Sequence, residues 1–168
     1  MHNYRRLWLG LAILLVASFS VLLWAGGEIF RAAPPMPERV VTESGQVVYT
    51  KADLETGRQV WQSMGGMQLG SIWGHGGYVA PDWSADWLHR EAVFILDRWA
   101  EADFRSNYDK LTNEQQAQLV GRLAQLLRAN TYDSATRRIT IDPLRAEAFR
   151  ANLAHYSDVF SRGQIDYA

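Results

Sequence analysis

From Leu7 to Ala25 the chain runs nineteen residues without a charge, enough for a helix of about 28 Å, close to the thickness of a bilayer's hydrocarbon core. Trp8 and Trp24 stand at its two ends, where amphipathic rings favour the membrane interface. The prolines of Ala32–Pro37 then stop the helix and stiffen the chain. Beyond them the pattern shortens. Arg39–Thr42 and Gln46–Thr50 are β-prone runs around Glu43-Ser44-Gly45, which reads as a hairpin. Thr50 caps a helix with Asp53 and Glu55 in its first turn, ending near Met64 at Gly65-Gly66, with Leu54, Trp61 and Met64 on one face. Met67 to Pro81, with Gly70, Gly74, Gly76 and Gly77, is too broken for a helix and reads as a wrapped loop. A helix capped by Asp82 or Ser84 follows, to about Asp103, with a stripe of Leu88, Ala92, Ile95 and Trp99. Another opens at the capping box Thr112-Asn113-Glu114-Gln115 and buries Leu119, Leu123 and Leu126. Tyr132–Ile141 reads as a small hairpin or extended link. The last helix starts at Asp142-Pro143, carries Phe149, Leu153, Tyr156 and Phe160 on its face, and ends at Gly163.

The fold class expected is mainly α, with one N-terminal transmembrane helix. The expected divisions are an N-terminus at 1–6, an anchor helix with its extension at 7–31, a Pro-rich spacer at 32–37 and a helical domain with a minor β hairpin at 38–168. A cleaved signal peptide would carry a shorter apolar region than this one. Arg5 and Arg6 precede the apolar run, while Glu28 and Arg31 follow it. That asymmetry puts the N-terminus in the cytoplasm and the rest outside.

Composition narrows the chemistry. Hydrophobic residues make up 48% of the 168, too many for a disordered chain. The net charge is −1, and of the charged residues only Arg5, Arg6, Glu28 and Arg31 precede the spacer. The remainder is mildly acidic and suits neither nucleic acid nor anionic lipid. There is no cysteine, which excludes disulfides, thiolate metal sites, thiol catalysis and thioether-bound haem. Five of the seven tryptophans lie between Trp61 and Trp99, marking one densely packed region. His75, Asp86 and His89 are conceivable ligands for zinc or iron. The plainer reading makes His89-Arg90-Glu91 a solvated or ion-paired turn and Asp82 a helix cap.

The runs Gly57-Arg58-Gln59-Val60-Trp61 and Trp73-Gly74-His75-Gly76-Gly77-Tyr78-Val79-Ala80-Pro81-Asp82-Trp83 resemble the cytochrome c subunit of bacterial nitric oxide reductase. Laid on that subunit's CxxCH motif, the two cysteines and the haem histidine fall on Gly66, Leu69 and Gly70. Flanking sequence without the attachment residues resembles the N-terminal region of single-chain, quinol-dependent nitric oxide reductases.

The resemblance implies a cytochrome c-like domain without haem c, anchored in the bacterial inner membrane as a single-pass chain, with its soluble domain in the periplasm. It implies a partner, the catalytic membrane subunit or a fused C-terminal catalytic domain, which carries haem b, haem b3 and non-haem iron and reduces 2 NO to N2O and water. This chain would be non-catalytic and is expected to be a fragment or split subunit. Trp73, His75, Trp83 and Trp87 are the expected interface. Backbone carbonyls of Gly76 and Tyr78 are the expected share of a calcium site, and apolar side chains are expected to fill the haem cavity. The alternative is an independent membrane-anchored periplasmic binding or accessory subunit without redox function.

Overall fold

A computed structural model describes residues 3–76 and 80–163. The chain divides into two compact units, Met1–Met36 and Pro37–Ala168.

The first unit is one helix, α1 (Asn3–Ala32), which begins before the uncharged run and carries Arg5 and Arg6 within it. Tyr4–Ala32 has a mean hydropathy of 2.3 over its most apolar window, and none of that window is buried. By length and composition this helix can cross a membrane. Ser20 Oγ returns a hydrogen bond to the Val16 carbonyl at 2.8 Å, as a hydroxyl in an apolar helix must to avoid desolvation without a partner.

In the second unit, β1 (Arg39–Thr42) and β2 (Val47–Thr50) form the expected hairpin, with Gly45 at φ 84° in its turn. Helix α2 (Lys51–Ser63) opens on a capping box. Thr50 Oγ1 accepts from the Asp53 N–H, and Asp53 Oδ2 accepts from the Thr50 N–H. The stretch read as a continuous loop contains structure of its own. A single turn, α3 (Gly66–Leu69), is followed by a tight hairpin of β3 (Ser71–Ile72) and β4 (His75–Gly76). Then come α4 (Trp83–Phe104), a 3-10 turn at Tyr108–Lys110, α5 (Asn113–Arg128), the hairpin β5 (Tyr132–Asp133) and β6 (Arg138–Ile141), α6 (Pro143–Asp158), and a π turn at Val159–Gly163. Thr112 with Gln115, and Asp142 before Pro143, cap α5 and α6 as the sequence indicates.

The two hairpins join into one four-stranded sheet, ordered β2-β1-β6-β5. Its centre is a parallel pairing of β1 with β6, Val40 opposite Ile139 and Val41 opposite Thr140. This buries Val40, Val41 and Thr42. The helical core packs α4 against α5 and α6 through Ile95, Leu96, Ala100, Leu119, Leu123 and Ala148.

Most of each apolar stripe packs as its spacing indicates, Ala92, Ile95 and Trp99 in the helical core and Phe149, Tyr156 and Phe160 among the aromatic rings, but one leucine of each lies off the packed face. On α4 the buried residues are Trp83, Glu91, Ile95, Leu96 and Ala100, and Leu88 is exposed. Helices on two sides of α4 spread its buried face, and Leu88 borders a cavity instead of the core. On α6 the buried residues are Ala146, Ala148 and Asn152, while Leu153 is 54% exposed. Small side chains allow α6 to approach α4 closely, so the contact line runs through alanines and leaves the larger residues beside it.

Candidate functional site

The site is assembled around the start of α4. Asp82 is its N-cap, accepting the Ala85 N–H at 2.9 Å. Its other oxygen accepts from Ser71 Oγ and from the Gly74 N–H, both at 2.7 Å. Ser84 Oγ accepts the Trp73 N–H at 3.0 Å, and the Ser71 N–H donates to the Pro81 carbonyl. One carboxylate thus ties the β3–β4 hairpin to the positive end of a helix. These donors, led by the Ala85 N–H and followed by the Ser71 hydroxyl and the Gly74 N–H, hold the Asp82 pKa below the ordinary aspartate value. Asp82 is therefore an anchor and holds its charge, as the cap reading requires, and is poorly suited to donate a proton.

The hairpin turn is Trp73-Gly74, with φ of 53° and 75°. Two residues with positive φ make the turn that matches strand twist, and the first is ordinarily Asn, Asp or Gly. Trp73 occupies it and is 71% exposed. A bulky residue in left-handed backbone costs of order 1–3 kcal/mol.

Behind the hairpin, aromatic side chains from five elements meet. Trp87 stacks on Tyr156 at 5.4 Å and 5°. Trp83 meets Tyr156 and Phe160, Trp61 meets Phe160, and Tyr49 stacks on Phe149. The Tyr156 hydroxyl donates to Asp86 Oδ2 at 2.7 Å, and Arg90 Nε donates to the same oxygen at 2.9 Å. The rings line an open pocket of about 550 Å³. Its walls come from residues far apart in sequence, and ring-on-ring stacking props them open. At its polar end Arg145 Nε donates to Glu91 Oε1 at 2.7 Å, with Glu91 only 7% exposed. Burial raises the pKa of Tyr49 beside this pair; Arg145 opposes the rise and Glu91 adds to it.

Gly66 and Gly70 stand against the same tryptophans. A Cβ on Gly66 would lie 2.2 Å from the Trp61 ring, and one on Gly70 would lie 2.0 Å from Trp83 Nε1 and 2.6 Å from the Pro81 carbonyl oxygen. By the resemblance to the cytochrome c subunit, these are two of the three positions on which its attachment residues fall. The residues present do not fit a thioether-bound haem. They carry neither thiol nor imidazole, and the indoles occupy the volume that such side chains would need.

Of the expected interface residues, Trp73 stands open, Trp87 is half-buried and Trp83 is buried; the side chain of His75 lies outside the described residues. Of the metal candidates, Asp86 is held by Tyr156 and Arg90, and His89 is exposed on α4. Among the described residues no three His, Asp or Glu side chains group to hold a metal. For calcium, Gly76 lies in β4 opposite Ser71, and Tyr78 lies outside the described residues. Asp82, the carboxylate bound to the hairpin, is spent on its donors.

Sequence reasoning missed Glu91 and Arg145, and also Tyr49, as parts of one cavity. The pair is separated by 54 positions, and no local pattern signals it. The residue-level hint was a lone Glu on the apolar side of α4.

No curated protein sequence matches the chain. A family model for the cytochrome c-like domain of NorB, a component of nitric oxide reductase, matches residues 37–167, nearly the whole second unit. The chain belongs to this family, the NorB cytochrome c-like domain of nitric oxide reductase.

Proposed function

We propose that this chain is the anchored, haem-free, cytochrome c-like part of a respiratory quinol-dependent nitric oxide reductase, and that it docks on the catalytic membrane part. In this reading residues 1–6 are cytoplasmic, α1 crosses the inner membrane, 32–37 is a spacer, and 38–168 lies in the periplasm. The reaction served is 2 NO + 2 electrons + 2 protons → N2O + water, on haem b, haem b3 and non-haem iron of the partner. This chain contributes no catalytic residue.

The observation that carries the reading is the pairing of Gly66 with Trp61 and of Gly70 with Trp83, within a domain of a haem-protein family that has no cysteine. A domain without haem cannot relay electrons, so its contribution is structural. Support for docking comes from the surface. Val60, Met64, Met67, Leu69 and Trp73 are exposed on the connected elements α2, α3 and the β3–β4 turn. An exposed apolar patch is characteristic of an interaction site, and Trp73 is held outward at a backbone cost. A calcium shared with the partner through the carbonyls of Gly76 and Tyr78 belongs to the same reading, with most of its six to eight oxygen ligands supplied by the partner.

The test is co-purification. The tagged chain, expressed with the catalytic part, should retain it through detergent washing, and Trp73→Ala should weaken that retention. Equal retention by the variant would remove Trp73 from the interface, and no retention by the unaltered chain would favour an independent accessory subunit.

A further inference from the structure

We propose that the aromatic cavity is a binding site for a flat, neutral, conjugated ring molecule bearing a carbonyl-type hydrogen-bond acceptor. This goes beyond the docking reading and does not depend on it. The volume of about 550 Å³ lies within the range of small-molecule pockets, about 300–1,000 Å³. The walls are chiefly the ring faces and edges of Trp61, Trp83, Trp87, Phe149, Tyr156 and Phe160. Such walls reward a planar ligand through offset and edge-on ring contacts.

The polar end selects the rest of the ligand. Arg145 spends Nε on Glu91 and makes no other hydrogen bond or ion pair among the described residues. A guanidinium has five N–H donors, so donors are left to serve a ligand. Glu91 cancels the charge of Arg145, which makes the end of the cavity net neutral. A second anion brought there would face the Glu91 carboxylate without a cation of its own, whereas a carbonyl oxygen would accept from Arg145 and leave the pair intact. An iron porphyrin fits poorly, because no described wall residue is a His, Met or Cys, while the Tyr156 hydroxyl is held by Asp86 and burial keeps the Tyr49 phenol protonated.

The experiment uses the full chain in detergent with nitrogen-15-labelled indoles, titrated with three probes of similar size. These are 2-acetylnaphthalene (neutral acceptor), 2-ethylnaphthalene (no acceptor) and 2-naphthoate (anion). The expected result is saturable shifts of the Trp61, Trp83 and Trp87 indole resonances, with Trp99, which lies off the cavity, unmoved. The ethyl compound should bind about fivefold more weakly than the ketone, the value of one net hydrogen bond, and the naphthoate about tenfold more weakly, the cost of an unpaired buried charge being at least that. Leu88 is exposed at the cavity's edge, so Leu88→Trp should fold and block entry. Arg145→Met combined with Glu91→Leu, which removes the donors and leaves no unpaired charge, should erase the preference for the ketone over the ethyl compound. Absence of shifts, equal shifts at Trp8, Trp24 and Trp99, equal affinity for all three probes, or unchanged binding in Leu88→Trp would each overturn the proposal.

Discussion

The α-carbon of Gly70 faces the indole nitrogen of Trp83 so closely that a methyl group placed on Gly70 would lie 2.0 Å from it. The backbone of Gly70 is extended, φ 167°, so an L-residue is excluded there by the neighbouring ring and the Pro81 carbonyl oxygen and not by its own dihedral angles. Gly70→Ala should therefore destabilise the domain by about 1–3 kcal/mol, as overpacking does. Trp83→Leu should recover part of that loss in the double variant. Urea unfolding of the four members of the cycle checks it, with a coupling of about 0.5–3 kcal/mol expected for touching residues.

Breaking the ion pair at the end of the cavity should cost more than removing it. Arg145→Met leaves the buried Glu91 carboxylate without its cation, at a cost of about 3–5 kcal/mol. Adding Glu91→Leu should return most of that. Thermal unfolding of the single and double variants distinguishes the two, and a double variant no better than Arg145→Met would contradict it.

The outward position of Leu153 on α6 is tested by Leu153→Ala against Leu119→Ala. Leu153 is more than half exposed and Leu119 is fully buried in the core. The first change should lie within about 0.5 kcal/mol of the unaltered protein, and the second should cost about 2–5 kcal/mol. A large loss for Leu153→Ala would return Leu153 to the packed face.

Asp82 gives the hairpin a pH dependence. Its pKa is lower in the folded chain than in the unfolded one. The stability it adds is therefore fully present above the usual aspartate pKa of about 3.9 and is lost as pH falls through the lower folded value. Amide exchange at Gly74, whose N–H donates to Asp82, should accelerate in that acidic window relative to an amide within α5. Asp82→Asn should show accelerated exchange at neutral pH and no acid step.

Local signals were legible wherever a side chain acts within a few residues. Thr50, Asp82, Thr112 and Asp142 cap the helices that their sequence patterns mark. Long-range relations were not. The pairing of Val40 with Ile139 joins strands about a hundred positions apart, and nothing in either strand specifies its partner. On α6 only Leu153 was misplaced, because spacing weighs large residues, whereas close helix packing selected Ala146 and Ala148. At the site, the glycines at 66 and 70 were legible as missing attachment residues. Their physical reason, two indoles from α2 and α4 against the backbone, needed the fold.

The central claim is that this cytochrome c-like domain works without haem c. Its most direct measurement is a pyridine haemochrome spectrum of the chain purified together with its catalytic partner from cells that mature c-type cytochromes. The account predicts a b-type band only, with none on the separated chain, and no c-type band even in Gly66→Cys, Leu69→Cys, Gly70→His, because Trp61 and Trp83 occupy the space. A c-type band, or a haem that stays with the separated chain through denaturing electrophoresis, would contradict it.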